Sequence, residues 1–328
     1  MNSSKTRLSE FPVVFMSYDE ENADENFHHL LNLVPWATRV HGVEGSDNAH
    51  KAAAETVGDA ERFITVDADN RVDEKFFDMV YDFESARFKD KVLSWAAVNE
   101  INGLQYGNGG LKCWPTQYVK DMKTHENATD PRAKVDFCWE DRYVQMTNAY
   151  CRTYQNASPR MAFRAGFREG CKLALDRGEK VHPSKFLSQV WHGNIRRLCV
   201  WMSVGQHVAN GIFAILGARL GFYKTIATDW DFIQVRDFTY LNHELWEKEV
   251  VPRIAMPKSE FCSLEFSENL AREWCEELGE LIRAEVTLNF HLLDAQSSSF
   301  YVATAPYIPN LAHTATEEAT QRLIKDLS

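Results

Sequence analysis

The stretch Arg62-Phe-Ile-Thr-Val-Asp-Ala-Asp-Asn70 constrains the fold of this chain more than any other. Four apolar or β-branched residues, Phe63 to Val66, run straight into Asp67, Asp69 and Asn70. A short apolar run bounded by polar residues reads as a buried parallel strand. In an open α/β sheet, ligands bind beyond the carboxyl ends of such strands. Alternate residues of an extended segment point the same way, so both carboxylates can meet one divalent cation. Mg²⁺ or Mn²⁺ takes hard oxygen ligands, and substrate phosphates commonly complete its shell. The same pattern also describes two solvated aspartates in a turn, and Asp-x-Asp alone does not separate the two readings.

The segments before this strand supply its context. Phe11 to Met16 reads as a first strand and ends in Ser17-Tyr18-Asp19-Glu20. Asn22 to Leu31 carries acids early and Phe27, Leu30 and Leu31 at helical spacing, which suits the positive end of a helix dipole. Ala37 to Val43 gives a second short strand, and Gly45-Ser-Asp-Asn48 supplies turn and cap residues before a helix over 50–57. The order β-α-β-α-β predicts an α/β fold with a doubly wound, mostly parallel sheet. Beyond the acidic strand end, the apolar spacing of Phe76, Phe77, Val80 and Phe83 predicts a helix over 72–83. Val92 to Val98 is a further strand. Asn102-Gly-Leu-Gln-Tyr-Gly-Asn-Gly-Gly110 is a glycine-rich loop that turns sharply or lets a partner approach closely, and a β-hairpin is its alternative. Leu111 to Thr116 continues as a strand, and 121–134 reads as a loop.

Charge divides the chain. The net charge is −11, yet residues 151–224 hold twelve Lys and Arg against three Asp and Glu, a local balance of +9 that leaves −20 elsewhere. Asymmetry on this scale points to a nucleic-acid or other anionic partner. Ser158-Pro159 opens a helix, with Ser as N-cap and Pro at the first position. Arg160, Arg164, Arg168 and Lys172 follow at i+4 spacing and share one helix face. A solvated face usually mixes signs, whereas a ladder of Arg suits phosphates. Arg196 and Arg197 lie near Trp191 and Trp201, and aromatics among cations permit base stacking. Residues 191–204 and 212–220 read as helical or mixed, 229–240 as a strand or loop, 267–294 as a long amphipathic helix, and Thr316 as the start of a last one. His182, His192, His207, His243 and His291 are possible further metal ligands; each is more readily an ordinary core or surface histidine.

Length and composition set outer bounds. A chain of 328 residues, 45% hydrophobic and 25% charged, can bury an ordinary globular core as one large domain or a domain with an extension. No run approaches 18 apolar residues, so no membrane span is expected, and the start lacks the apolar core of a signal peptide. Seven cysteines without a Cys-x-x-Cys pair point to reduced thiols, a cytoplasmic setting, and no structural zinc.

The ordered pieces Tyr18-Asp19-Glu20, Gly45 to Lys51 with Ala52 to Ala54 behind it, and Asp67-Ala68-Asp69 resemble the donor half of family-2-like glycosyltransferases with the GT-A fold. The segments Ala162 to Lys172, Asn210 to Arg219 and Trp230 to Phe238 resemble glycosyltransferases of tailed bacteriophages that decorate DNA, and the whole resemblance covers most of residues 11–245. It implies a GT-A-like core with a helical C-terminal extension. Residues 1–150 would bind the nucleotide sugar, 151–245 would form a basic acceptor side, and 246–328 the extension. Carried over, Tyr18 and Glu20 contact the nucleoside and Lys51 the phosphates; Asn48 binds the donor within the segment that approaches the base or diphosphate, and Gly109 and Gly110 line the sugar pocket. Asp67 and Asp69 hold Mn²⁺ or Mg²⁺, with Asp67 also on the donor side. An acid of the Val135-Asp-Phe-Cys-Trp-Glu-Asp-Arg142 stretch, Asp136 first and Asp141 next, serves as general base for the acceptor hydroxyl. The implied reaction moves a sugar from a UDP-sugar to a hydroxymethylated pyrimidine, 5-hydroxymethylcytosine above all, in double-stranded phage DNA. Arg160, Arg164, Arg168, Lys172, Arg196 and Arg197 would hold the DNA. Two rivals stand beside it: the same enzyme acting on a surface glycan or protein, and a non-catalytic DNA-binding protein on a degenerate GT-A scaffold.

Overall fold

In the computed structural model, which describes residues 5–130, 133–134, 142–258 and 263–304, the chain divides into two units. The first takes in the described residues up to Glu100 and again Gln105–Tyr154; the second takes in Ile101–Leu104 and everything from Gln155.

The apolar runs of the first unit become sheet strands. After the short β1 (Lys5–Arg7) come β2 (Val13–Ser17), helix α1 (Ala23–Leu33), β3 (Thr38–His41), helix α2 (Ser46–Thr56) and β4 (Arg62–Asp67). Then follow β5 (Asn70–Val72), β6 (Val80–Asp82), β7 (Val92–Asn99), β8 (Gln105–Pro115), helix α3 (Thr116–Asp121) and β9 (Tyr143–Thr153). Seven strands form one sheet in the order β3-β2-β4-β8-β7-β9-β5. The pairs β2–β3, β2–β4 and β7–β9 are parallel, and β8 and β5 run against their neighbours, so five of the seven strands share a direction. The α/β class and mostly parallel sheet expected from the sequence are both present. Side chains alternate across the sheet. Val13, Phe15, Ile64, Val66, Trp95 and Leu111 fill one core with Leu30 of α1, while Val14, Phe63, Val92 and Trp114 fill the other with Ala53 and Ala54 of α2. Both faces are covered, which is why these strands read as continuous apolar runs rather than alternating ones.

Two local expectations change. Residues 72–83 are not a helix: Asn70–Val72 pairs with β9, Glu74–Phe76 makes one 3₁₀ turn, and Val80–Asp82 pairs with β1. Phe76, Phe77 and Phe83 are still buried, so the apolar spacing marks burial while distant strands settle the backbone. The glycine-rich stretch enters β8 at Gln105 and forms a hairpin with β7.

The second unit is mainly helical: α4 (Pro159–Leu173), the short α5 (Phe186–Gln189), α6 (His192–Ser203), α7 (Gly211–Ala227), the short α8 (Val251–Ile254), α9 (Glu268–Val286) and α10 (Ala295–Thr304). A π-helical run, Tyr240–Val250, precedes α8, and a two-strand ladder, β10 (Ala255–Lys258) with β11 (Ser263–Phe266), follows it. Ser158 caps α4 as its sequence requires, its Oγ accepting from Met161 N at 3.2 Å. Apolar on nearly every side, α7 lies buried. Its Gly217 and Gly221 lie against the carbonyls of Phe163 and Phe167, and Gly166 and Gly170 of α4 lie against those of Ala214 and Ala218. A Cβ at any of the four would overlap a carbonyl oxygen, so the two backbones meet directly. Arg219 of α7 is 1% exposed and donates to the carbonyls of Met202 (2.9 and 2.8 Å) and Cys275 (2.6 Å). A guanidinium buried this deeply is held because it satisfies carbonyls at a helix end and a neighbouring helix.

Candidate functional site

Parallel register brings three strand ends to one edge of the first unit. Met16 of β2 lies opposite Asp67 of β4, and Ser17 opposite His41 of β3. The chain beyond β2 therefore emerges beside the acidic turn, where an α/β sheet takes its ligand.

That turn is anchored one peptide after another. Ala68 O accepts from Asn26 Nδ2 at 2.8 Å, and Asp69 O accepts from Tyr154 N at 2.7 Å. Asn26 is fully buried, and its Oδ1 accepts from Arg71 Nε at 2.8 Å. Arg71 also pairs with Glu25 at 2.6 Å and lies 4.6 Å above the Tyr154 ring, while Asn22 Nδ2 donates to Tyr154 O at 2.8 Å. Asn70 Nδ2 donates to Asp69 Oδ1 at 2.8 Å. The two carboxylates thus stand on a backbone that cannot drift, as a preorganised site requires. Gly110, at φ +71°, lies beneath them: a Cβ there would come within 2.6 Å of Asp67 Oδ2 and 2.5 Å of Asn70 Nδ2. Gly109 precedes it in β8. Two residues further on, Lys112 is 4% exposed. Burial pushes the Cys151 thiol far up, the charges of Asp69 and Asp67 add to this, and that of Lys112 opposes it, so all three charges act at one point of the sheet.

Beside the turn is an open cleft of ≈ 460 Å³ lined by Tyr18, Asp19, Glu20, Arg39 and His41, among others. Glu20 Oε2 accepts from Tyr18 N at 2.7 Å. Burial raises the Glu20 carboxyl above its ordinary value, and the charges of Asp69 and Asp19 push the same way. Arg39 Nε donates to Ser17 Oγ at 2.8 Å, and His41 Nδ1 lies 2.9 Å from the same hydroxyl. The Arg39 guanidinium lies over Phe15 and Phe27 and binds Asp24 at 2.6 Å. Arg39, His41, Asn26, Asn70 and Lys112 escaped the sequence reading. For Arg39 and His41 the available signal was their place on the second strand, whose carboxyl end had to emerge beside the first.

At the start of α2 the chain's own side chains meet one another. Lys51 Nζ binds Asp47 Oδ2 at 2.6 Å, and the fully buried Asp47 also accepts from Thr124 Oγ1 at 3.1 Å and Asn127 Nδ2 at 2.7 Å. Asn48 N donates to Glu126 Oε1 at 2.9 Å. Asn48 and Lys51, both expected on the donor, meet the chain's own carboxylates here, Asn48 through its backbone N–H. The physical reason is the helix N-terminus, which attracts whatever anion is nearest. Gly45, at φ +88°, leaves the space that the Glu126 carboxylate fills.

The basic ladder is only partly a solvent face. Arg164 is 8% exposed, and its guanidinium lies 4.4 Å above Phe238. Arg168 lies 5.1 Å above the same ring. Arg160 and Arg164 both reach Asn242 Oδ1, at 3.2 and 3.4 Å, and Lys172 pairs with Glu169. The one-face geometry expected of residues 160–172 is present, and residues 238–242 of the same unit cover part of it. Arg197 lies 5.3 Å from the ring of Trp191, which is 45% exposed, whereas Trp201 is 1% exposed and takes no part in any surface. Arg196 has its Nη1 buried without a hydrogen-bond partner among the described residues.

Asp136 and Asp141 lie outside the described residues. Among those described, no group of three or more His, Cys, Asp or Glu converges on a metal position, the five described cysteines are free and buried, and no helix is long and apolar enough to cross a membrane. His182, His243 and His291 lie within reach of Ser184, Glu247 and Asn289 respectively. Two carboxylates nevertheless suit Mg²⁺ or Mn²⁺, which keep waters and substrate phosphates in their shells and need few protein ligands.

No protein-family model matches the chain, and no curated protein matches it. Among solved structures it is similar to a glycosyltransferase involved in the glycosylation of the major capsid of PBCV-1, at 12% identity and a TM-score of 0.29, covering 45% of this chain and 94% of that one.

Proposed function

We propose that the protein is a metal-dependent glycosyltransferase that takes its sugar from a UDP-sugar. The observation that carries this reading is the anchored Asp67-Ala68-Asp69 turn beside the Tyr18–Glu20 cleft, with strand ends in register. Asp67 and Asp69 would hold Mn²⁺ or Mg²⁺, which when bound neutralises charge on the departing diphosphate. Tyr18 and Glu20 would hold the nucleoside, and Gly109 and Gly110 would let the donor sugar approach β8. An acid of the 135–142 stretch, Asp136 or Asp141, would take the proton of the acceptor hydroxyl.

The acceptor in this proposal is a hydroxymethylated pyrimidine such as 5-hydroxymethylcytosine in phage DNA, supported by the +9 balance of residues 151–224. To bring its hydroxymethyl group to the cleft such a base would leave the stack. A second reading keeps the enzyme and moves the sugar to a glycan or protein. The contacts of Arg164 and Arg168 with Phe238 favour it, because cations engaged internally are less available to phosphates.

Incubation with Mn²⁺, a panel of nucleotide sugars, and hydroxymethylated or plain DNA, with the nucleosides read by mass, tests both. The expected result is a hexose or pentose adduct on the hydroxymethylated base, with activity reduced at least about 100-fold in Asp69→Ala. Transfer to carbohydrate alone would select the second reading. Donor turnover that is the same in Asp69→Ala would remove the metal from the mechanism.

A further inference from the structure

Asn70 ends the acidic turn and begins β5, and its side chain does two different things. It is 2% exposed, and its Nδ2 donates to Asp69 Oδ1 at 2.8 Å. Its Oδ1 is buried and has no hydrogen-bond partner among the described residues. Buried acceptors are nearly always satisfied, and an exception within a polar site calls for a water or ion. The backbone gives the side chain no escape: Asn70 pairs with Thr153 in the β5–β9 ladder, and the preceding carbonyl is held by Tyr154 N. The absent side chain of Gly110 lets Asn70 and Asp67 pack close against β8: a Cβ there would come within 2.5 Å of Asn70 Nδ2 and 2.6 Å of Asp67 Oδ2.

We propose that Asn70 is a third protein group of the cation site, acting in the shell behind the ligands. Its Nδ2 fixes the carboxylate of Asp69, and its Oδ1 accepts a hydrogen bond from a water carried by Mg²⁺ or Mn²⁺. This rests on the reading of Asp67 and Asp69 as the cation's ligands. Small divalent cations keep several waters, and those waters are strong donors. Groups that orient a ligand from behind commonly set cation affinity as much as the ligand itself does. A purely structural asparagine would account for the bond to Asp69 but would leave Oδ1 unsatisfied at the centre of an acidic turn.

The test is Mn²⁺ binding to the full chain without donor, followed by the paramagnetic resonance signal of free Mn²⁺, together with thermal unfolding with and without Mn²⁺. Four proteins are compared: wild type, Asp69→Ala, Asn70→Leu and Asn70→Asp. Asn70→Leu removes both donor and acceptor and should weaken Mn²⁺ binding by about 10- to 100-fold. Asn70→Asp keeps an acceptor but sets a third carboxylate beside Asp69. It should unfold at lower temperature without Mn²⁺, regain the loss when Mn²⁺ is added, and bind the cation at least as well as Asn70→Leu. Wild-type affinity in Asn70→Leu with impaired binding in Asp69→Ala would overturn the role of Asn70 alone. An Asn70→Asp deficit that Mn²⁺ does not repair would do the same, and it serves if Asn70→Leu fails to fold. Absence of Mn²⁺ binding in wild type, or equal binding in Asp69→Ala, would overturn the cation site itself and Asn70 with it.

Discussion

Glu20 carries a cost in stability at neutral pH. Its carboxyl is raised above 4.5 chiefly by burial and then by Asp69 and Asp19. A raised acid binds its proton more tightly folded than unfolded, so between pH 4.5 and the folded value stability falls as pH rises. Glu20→Gln removes that charge and can still accept from Tyr18 N. Its melting temperature should exceed wild type at pH 7, and the difference should shrink towards zero below pH 4.5. If Glu20 holds the nucleoside, as proposed, nucleotide affinity read by calorimetry at pH 7 should fall in the same variant, because one of its two acceptor oxygens is lost. His50 works with the opposite sign. It is buried between Trp114 (5.0 Å) and the carbonyl of Ser46 (Nδ1···O 2.7 Å), and burial lowers it from 6.5 to about 4. Here the unfolded chain binds the extra proton, so the stabilisation is complete above pH 6.5 and lost as pH falls towards 4. The loss amounts to about 3 kcal/mol. Urea unfolding from pH 7 down to 4 should show it, and His50→Phe should flatten the profile.

Among the elements, the closest contact is that of α4 with α7. Gly166→Ala would drive a methyl into the Ala214 carbonyl, and helix propensity, which favours Ala by about 1 kcal/mol, works against that loss. Overpacking should win, with a net destabilisation of about 2–3 kcal/mol in chemical unfolding. The same pair shows what the sequence could convey. The Ser158-Pro159 start, the apolar face of α9 and the strand runs were legible because cap, periodicity and burial are local properties. The identity of 72–83 was not, because its backbone is settled by β1, about 75 residues earlier, and β9, about 80 residues later. The acidic turn could be picked out from Asp67 and Asp69. Asn26 and Tyr154, which anchor it, could not, because nothing in an isolated Asn or Tyr announces a partner 40 or 85 residues distant. The contacts that engage Asn48 and Lys51 were not legible for the same reason: Glu126, Thr124 and Asn127 arrive from another part of the chain.

At the scale of the whole molecule, net charge overstates what is offered to a partner. Of the twelve cations in 151–224, Arg219 is buried on carbonyls, Lys224 pairs with Glu249 at 2.9 Å, Lys180 binds the carbonyls of Thr228 and Trp230, and Arg164 stacks on the Phe238 ring. Arg164→Ala should therefore lower stability by about 2 kcal/mol through lost packing. Arg197→Ala, beside the half-exposed Trp191, should leave stability within about 0.5 kcal/mol. If the acceptor is DNA, as proposed, a salt titration of binding should show a slope reduced by about 1 in Arg197→Ala and unchanged in Arg164→Ala. The reverse pattern would assign the phosphate contact to the helix face instead.

The strip Ile101–Leu104 lies between β7 and β8 yet belongs to the second unit, where Gly205, at φ +119°, packs against the Ile101 carbonyl. Synthesis runs from the N-terminus, so both strands of this hairpin leave the ribosome before Gly205 exists. Ile101 and Leu104, 2% and 6% exposed in the finished protein, must wait uncovered until about a hundred further residues are made. A messenger truncated after Tyr154 would therefore yield a sheet with an adhesive tip, a natural target for chaperones, rather than a separable domain.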